Sequence, residues 1–148
     1  MESLRLNISK EDAERVLMHP DIFDTIAEDG VKDWKMPDGP IYLCGYEPEL
    51  MGCFVLHKQS KATMEVHIQV LPEFRKAYSA EFCDRVVEWA WENTNAQKLV
   101  AQIPFLYPNV RDFALARGFK VEGVNSDSYL KDGVLCNQWY LGIRRWDS

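Results

Sequence analysis

Thr63-Met64-Glu65-Val66-His67-Ile68-Gln69-Val70-Leu71-Pro72-Glu73-Phe74-Arg75-Lys76-Ala77-Tyr78-Ser79-Ala80 decides the fold, because the hydrophobic period changes at its end. Met64, Val66, Ile68 and Val70 fall on one face of an extended chain, and Glu65, His67 and Gln69 fall on the other. From Ala80 the spacing becomes helical. Phe82, Val86, Trp89 and Ala90 form the stripe, and Cys83, Val87 and Trp91 widen it. Trp89 and Trp91 stand about 200° apart on a helix, so they cannot both face the core.

Upstream, Ile41 to Tyr46 and Leu50 to His57 read as two further strands, with turns at Glu47-Pro48-Glu49 and at Lys58 to Ala62. Leu4, Leu6 and Ile8 alternate with polar residues as a first strand. Ser9 then caps a helix, with Asp12 in its positive first turn and Ala13, Val16 and Leu17 as its apolar stripe. A short second helix follows near Asp21 to Ala27. The segment Lys35 to Pro40 is a connection within the domain. Downstream, Leu99 to Pro104 is a strand and Pro108 to Arg117 a helix stopped by Gly118. Lys120 to Tyr129 and Val134 to Ile143 form a hairpin turning at Asp132-Gly133. The order predicts a mixed α/β fold, a six- to seven-stranded mixed sheet with helices on both faces. The sheet is expected to splay between the strand ending at Val70 and the strand at Leu99 to Pro104.

The chain has 148 residues, 47% apolar and 27% charged, which suits a single globular domain over residues 1–148. Seventeen basic and twenty-three acidic residues give a net charge of −6, which argues against broad nucleic-acid binding. No apolar run approaches the roughly 20 residues that span a bilayer, and no secretory pattern opens the chain. Cys44, Cys53, Cys83 and Cys136 are scattered and read as small buried hydrophobes of a reduced, cytoplasmic protein. The acidic group Asp24, Glu28, Asp29 and Asp33 has no His or Cys at ligand spacing. It reads as a solvated face, and no metal is expected.

The segment Val70-Leu71-Pro72-Glu73-Phe74-Arg75-Lys76-Ala77-Tyr78-Ser79-Ala80 resembles the acyl-CoA loop of the Gcn5-related N-acetyltransferases, which reads Val-x-Pro-x-x-Arg-x-x-Gly-x-Gly/Ala. Val110, Phe113, Arg117-Gly118-Phe119 and the hairpin at Asp132-Gly133 resemble that family's last helix and last two strands. The resemblance implies an acyl-CoA N-acyltransferase-like fold, acetyl-CoA as cofactor and an amine as acceptor. It also implies that Val70, Arg75, Lys76, Ala77, Tyr78, Ser79 and Ala80 bind the cofactor. Backbone N–H groups at a helix N-terminus would converge on the pyrophosphate, with small residues permitting close approach. Tyr78 stands where the family has its first glycine, so its ring either points outward or fills the phosphate site.

Acyl transfer to an amine needs a base, oxyanion donors and a fate for the thiolate. Glu65 lies five residues before Val70, a spacing that resembles the general base of the histone-modifying branch, and His67 is the alternative base. The family's acid position holds Ala114, and its frequent asparagine position holds Tyr107, which is within reach of a role at the thiolate. The resemblance also implies that the loops around Val31 to Pro40 and Asn125 to Leu130 face the acceptor. The chain also resembles small acetyltransferase-like proteins of tailed phages, some of them head-assembly proteins. That likeness implies an alternative role as a catalytically degenerate binding or assembly component, in a host cytoplasm or a virion. A protein partner or a homodimer is open in either case.

Overall fold

The computed structural model describes residues 4–32 and 36–147, so Asp33 of the acidic group and Lys35 at the start of the connecting loop lie outside the described residues. Among the described residues, seven strands and four α-helices follow one another as β1 (Arg5–Ile8), α1 (Lys10–Leu17), α2 (Pro20–Ile26), β2 (Ile41–Tyr46), β3 (Leu50–Lys58), β4 (Thr63–Val70), α3 (Pro72–Asn93), β5 (Lys98–Pro104), α4 (Pro108–Ala116), β6 (Lys120–Lys131) and β7 (Val134–Arg144). A short 3₁₀ turn, Arg145–Asp147, closes the chain. The strands form one mixed sheet in the order β1-β2-β3-β4-β5-β7-β6. Among the described residues no helix is long and apolar enough to cross a membrane.

Alternation along the strands divides the apolar residues between two layers. On one face Leu43, Phe54, Leu56, Val66, Val70, Leu99, Ile103 and Leu141 pack with Phe82, Cys83, Val86, Val87 and Ala90 of α3. Phe54 meets Phe82 edge to face, with ring centroids 5.0 Å apart. Trp89 and Trp91 flank the stripe, and both are half-buried against this core. On the other face Tyr42, Cys44, Tyr46 and Cys53 pack with Ala13, Val16, Leu17 and Ile22 of α1 and α2. Cys44, Cys53 and Cys83 are buried, and burial pushes the Cys44 and Cys83 thiols up to about 12. Cys136 is half-buried.

Local signals place the ends of these elements. Ser9 Oγ accepts from the Asp12 amide at 3.1 Å and caps α1. Gly118, at φ 102°, stops α4. Asp132 and Gly133, at φ 53° and 75°, supply the two left-handed residues of a tight hairpin turn. Asp24, Glu28 and Asp29 are exposed, in keeping with a solvated face, and two of them also bond to backbone amides. Asp29 accepts from the amides of Asp132 and Gly133 at 2.9 and 2.8 Å, and Glu28 accepts from the Leu130 amide at 2.8 Å. They clamp the β6–β7 turn onto the segment after α2. Arg145 wraps the C-terminal end of α3, donating to the carbonyls of Trp91, Thr94 and Ala96, where the helix dipole favours a cation.

One expectation fails at the N-terminal end of α3. The helix begins at Pro72, not near Ala80, so the stretch expected to be a loop is its first turns. Proline at the first helical position needs no N–H donor, and no glycine interrupts the following residues.

Tyr46 ties α1 to the sheet by donating its hydroxyl to the Asp12 carboxylate. That bond holds the Asp12 carboxyl below its ordinary value of 3.8, with Arg15 adding to the effect. A carboxylate with a lowered pKa adds stability above its ordinary value, and the contribution is lost as pH falls through the folded-state pKa. Tyr46→Phe should therefore cost about 1.5 kcal/mol at neutral pH. The gap from the parent protein should close under acid conditions, as followed by urea denaturation at a series of pH values.

Candidate active site

β4 is held along one edge by β3 in antiparallel register from Gly52↔Val70 to Lys58↔Met64. Along its other edge it pairs in parallel with β5 at only three positions, Thr63↔Lys98, Met64↔Leu99 and Glu65↔Val100. Beyond Glu65 the strands part, as the sequence predicts, although β4 continues to Val70 and β5 to Pro104. Backbone groups on the separated edges have no ladder partner across the gap.

Glu65 therefore stands at the fork. It is the only buried charged or polar residue among those described, 8% exposed. Its carboxylate lies on the face covered by α1 and α2, and two histidines close on it. The β3–β4 register sets His57 directly opposite Glu65, and His67 lies two residues further along β4 on the same face. His57 Nε2 is 3.4 Å from Glu65 Oε1, His67 Nε2 is 3.8 Å from Oε2, and the two Nε2 atoms are 3.1 Å apart. Gln59 Nε2 donates to Glu65 Oε1 at 3.1 Å, and the Tyr140 hydroxyl donates to Gln59 Oε1 at 3.4 Å. Partial removal from water lowers the His67 pKa although the side chain reaches solvent; Glu65 opposes this and His57 adds to it.

The two residues read as candidate bases, Glu65 and His67, are brought together. His57 was missed, although its position is recoverable from the sequence. A hairpin closed through residues 59–62 sets Lys58 against Met64 and hence His57 against Glu65. These three side chains present ligand atoms within 4.8 Å of one another, an arrangement that the sequence reading did not foresee.

The residues read as a cofactor loop are placed differently. Val70 ends β4, buried, and its carbonyl accepts from Arg75 Nε at 2.9 Å. Arg75, Lys76, Ala77, Tyr78, Ser79 and Ala80 lie on the first turns of α3. Within an α-helix the amides from Lys76 onward are bonded to carbonyls four residues earlier, so they do not converge on an anion. Tyr78 does not point outward. Its half-buried ring packs on the core beside Phe74, with centroids 6.3 Å apart. Tyr107 is also committed, because its hydroxyl donates to the Thr25 carbonyl and does not swing toward a thiolate. Ala114, at the family's acid position, is buried in the core.

Spermidine N-acetyltransferase from Vibrio cholerae, solved with CoA and spermine, superposes with a TM-score of 0.82, covering 98% of this chain and 97% of that one at 13% identity. The chain has the fold of the Gcn5-related N-acetyltransferases. A putative phosphinothricin N-acetyltransferase matches with a TM-score of 0.76 at 14% identity, over 96% of this chain and 98% of that one. A Gcn5-related acetyltransferase from Streptococcus pneumoniae matches with a TM-score of 0.73 at 14% identity, over 95% and 99%. No protein-family model and no curated protein matches the chain. At such identities the likeness establishes the fold alone.

The helical state of residues 76–80 is open to direct measurement. Their amides should exchange with solvent as slowly as hydrogen-bonded amides further along α3, read by hydrogen exchange with NMR detection. Exchange at the rate of an unprotected loop would show that α3 starts later.

Proposed function

We propose that the protein is an N-acyltransferase that moves an acetyl group from acetyl-CoA to an amine. The observation that carries this reading is the Glu65 carboxylate, buried at the point where β4 and β5 part and flanked by His57 and His67. The acyltransferase fold and the CoA complex of the Vibrio cholerae neighbour support it.

The residues fit the two ends of the cofactor unequally. The fork between β4 and β5 suits an extended acyl-pantetheine arm, which can bond to strand edges that lack a partner. A backbone cradle for the pyrophosphate is not formed, because α3 is helical from Pro72. Its phosphates would instead meet the exposed cations of Arg75 and Lys76 on the first turns of α3. When bound, the thioester supplies an activated acyl carbon for attack by a neutral amine.

The protein's own part is to produce that neutral amine. An alkyl ammonium must lose a proton before attack, and Glu65 stands where a carboxylate could take it. Gln59 fixes the carboxylate through Oε1, and both imidazoles touch solvent, so a proton arriving at the cluster has a route outward. Unpaired N–H groups along the divergent edges of β4 and β5 are available to a developing oxyanion. Thiolate is a tolerable leaving group near neutral pH, so the engagement of Tyr107 does not forbid turnover.

Calorimetry with acetyl-CoA and an acetylation assay on a panel of amines test this reading. The parent protein should bind acetyl-CoA. Glu65→Gln should bind within about twofold of it while turning over about 10²–10⁴ times more slowly, the usual contribution of a general base. Unchanged turnover in Glu65→Gln would remove that residue from the role. No binding by the parent protein, with binding gained in Tyr78→Gly, would overturn the transferase reading in favour of a degenerate fold serving as a binding or assembly component.

A further inference from the structure

We propose that His57, His67 and Glu65 form a binding site for a divalent first-row transition cation such as zinc. The cluster brings three lone-pair donors to one place. Their separations are 3.1 Å between the Nε2 atoms, 3.4 Å from His57 to Oε1 and 3.8 Å from His67 to Oε2. Ligands about 2.1 Å from a shared ion stand roughly 3.0 Å apart when adjacent in an octahedron and about 3.4 Å apart in a tetrahedron. The two distances to Glu65 end on different oxygens; with one oxygen as donor the three ligand atoms lie within 4.8 Å of one another, and rotation of the side chains would bring them onto one ion. A single proton between the two Nε2 atoms joins only the histidines, whereas a cation would engage all three side chains.

The donor set selects the class of ion. Two imidazole nitrogens and one carboxylate suit zinc, cobalt, nickel or copper, while magnesium and calcium favour oxygen ligands throughout. The surroundings resemble a supported site. The carboxylate is oriented by Gln59, which is itself bonded by Tyr140, so an outer layer of partners is present. All three donors stand on paired strands whose register fixes their spacing. The histidine side chains are 37% and 47% exposed, which leaves an entry path and room for a water or a substrate atom in a fourth position. The third histidine of the chain, His19, is not part of this cluster and caps α2 through Nδ1.

Metal binding does not require acyl transfer. Where the acyltransferase reading holds, and only on that reading, the cation and the substrate's proton compete for Glu65, so zinc would inhibit turnover.

The test is zinc titration by calorimetry of protein stripped with EDTA, with no acyl donor present. One zinc per chain is expected, with affinity reduced at least about tenfold in His57→Ala and in His67→Ala, since loss of even an outer partner of a ligand costs that much. His19→Ala and Cys136→Ser should bind as the parent does. Cobalt(II) should give visible bands of nitrogen and oxygen ligation without a thiolate charge-transfer band, a readout that needs no variant. Zinc should raise the Tm of the parent, and magnesium should not. Absence of zinc binding, binding unmoved by both histidine substitutions, or binding lost in Cys136→Ser would overturn the site. None of these results bears on acetyl-CoA binding, and loss of the transferase reading would leave the zinc titration unaffected.

Discussion

The parallel pairing of β4 with β5 lasts for three residues, and the rest of the molecule is arranged around the point where it stops. On one side β4 is locked to β3 through seven paired positions, and on the other β5 is locked to β7 through seven. Each half of the sheet is therefore far stiffer than the junction between them. Strands twist relative to their neighbours, so a short junction between two long ladders opens into a wedge. The last residue before the opening is Glu65. A charged side chain at that position is buried by the sheet and yet adjacent to the gap, a combination that neither a surface strand nor a closed core would give.

A wedge in a sheet is a weakness unless the two halves are tied by something else. Here the tie is polar and runs from α2 to the C-terminal hairpin. Tyr107 and Tyr129 donate to the carbonyls of Thr25 and Ile26, Lys131 donates to the carbonyls of Asp24 and Ala27, and Glu28 and Asp29 receive the amides of the β6–β7 turn. These bonds join the helical layer over β2 and β3 to the far half of the sheet. Many end on backbone carbonyls at or just past the end of α2, where the helix leaves acceptors without partners. The same groups that close the end of a seven-residue helix thus fix the two halves relative to each other.

Periodicity made the elements legible because each strand and helix is half-buried, and half-burial is what writes a period of two or of 3.6 into a sequence. The strand at Thr63, the cap at Ser9, the stop at Gly118 and the turn at Asp132-Gly133 all follow from local chemistry. Glu65 and His67 were legible as candidates because they share the polar face of the most regular strand. What local chemistry does not encode is contact between distant residues. His57 belongs to the site through strand register, Arg145 caps a helix more than 50 residues upstream, and Glu28 and Asp29 meet their partners about 100 residues away. Seen singly, these four are an ordinary histidine, arginine and two acids on a chain rich in charge.

The start of α3 is the opposite case, where the sequence held the answer and a family pattern concealed it. A glycine in the place of Tyr78 would weaken the helix by about 1 kcal/mol and let the chain turn with its amides exposed. Between Leu71 and Ala80 this chain has no glycine, a proline where a helix begins, and an aromatic ring that gains contact with Phe74 and the core by staying helical. The missing glycine and the missing loop are therefore one fact observed twice. Its chemical consequence is a change in how an anion can be held. Amides fixed in a loop bind phosphate with little loss of conformational entropy. Lys76, exposed on a helix, must be immobilised to do so, Arg75 is only partly held through Nε, and salt screens both. On the acyltransferase reading, cofactor recognition in this chain rests more on the fork at Glu65 and less on the helix N-terminus than the shared fold alone would imply.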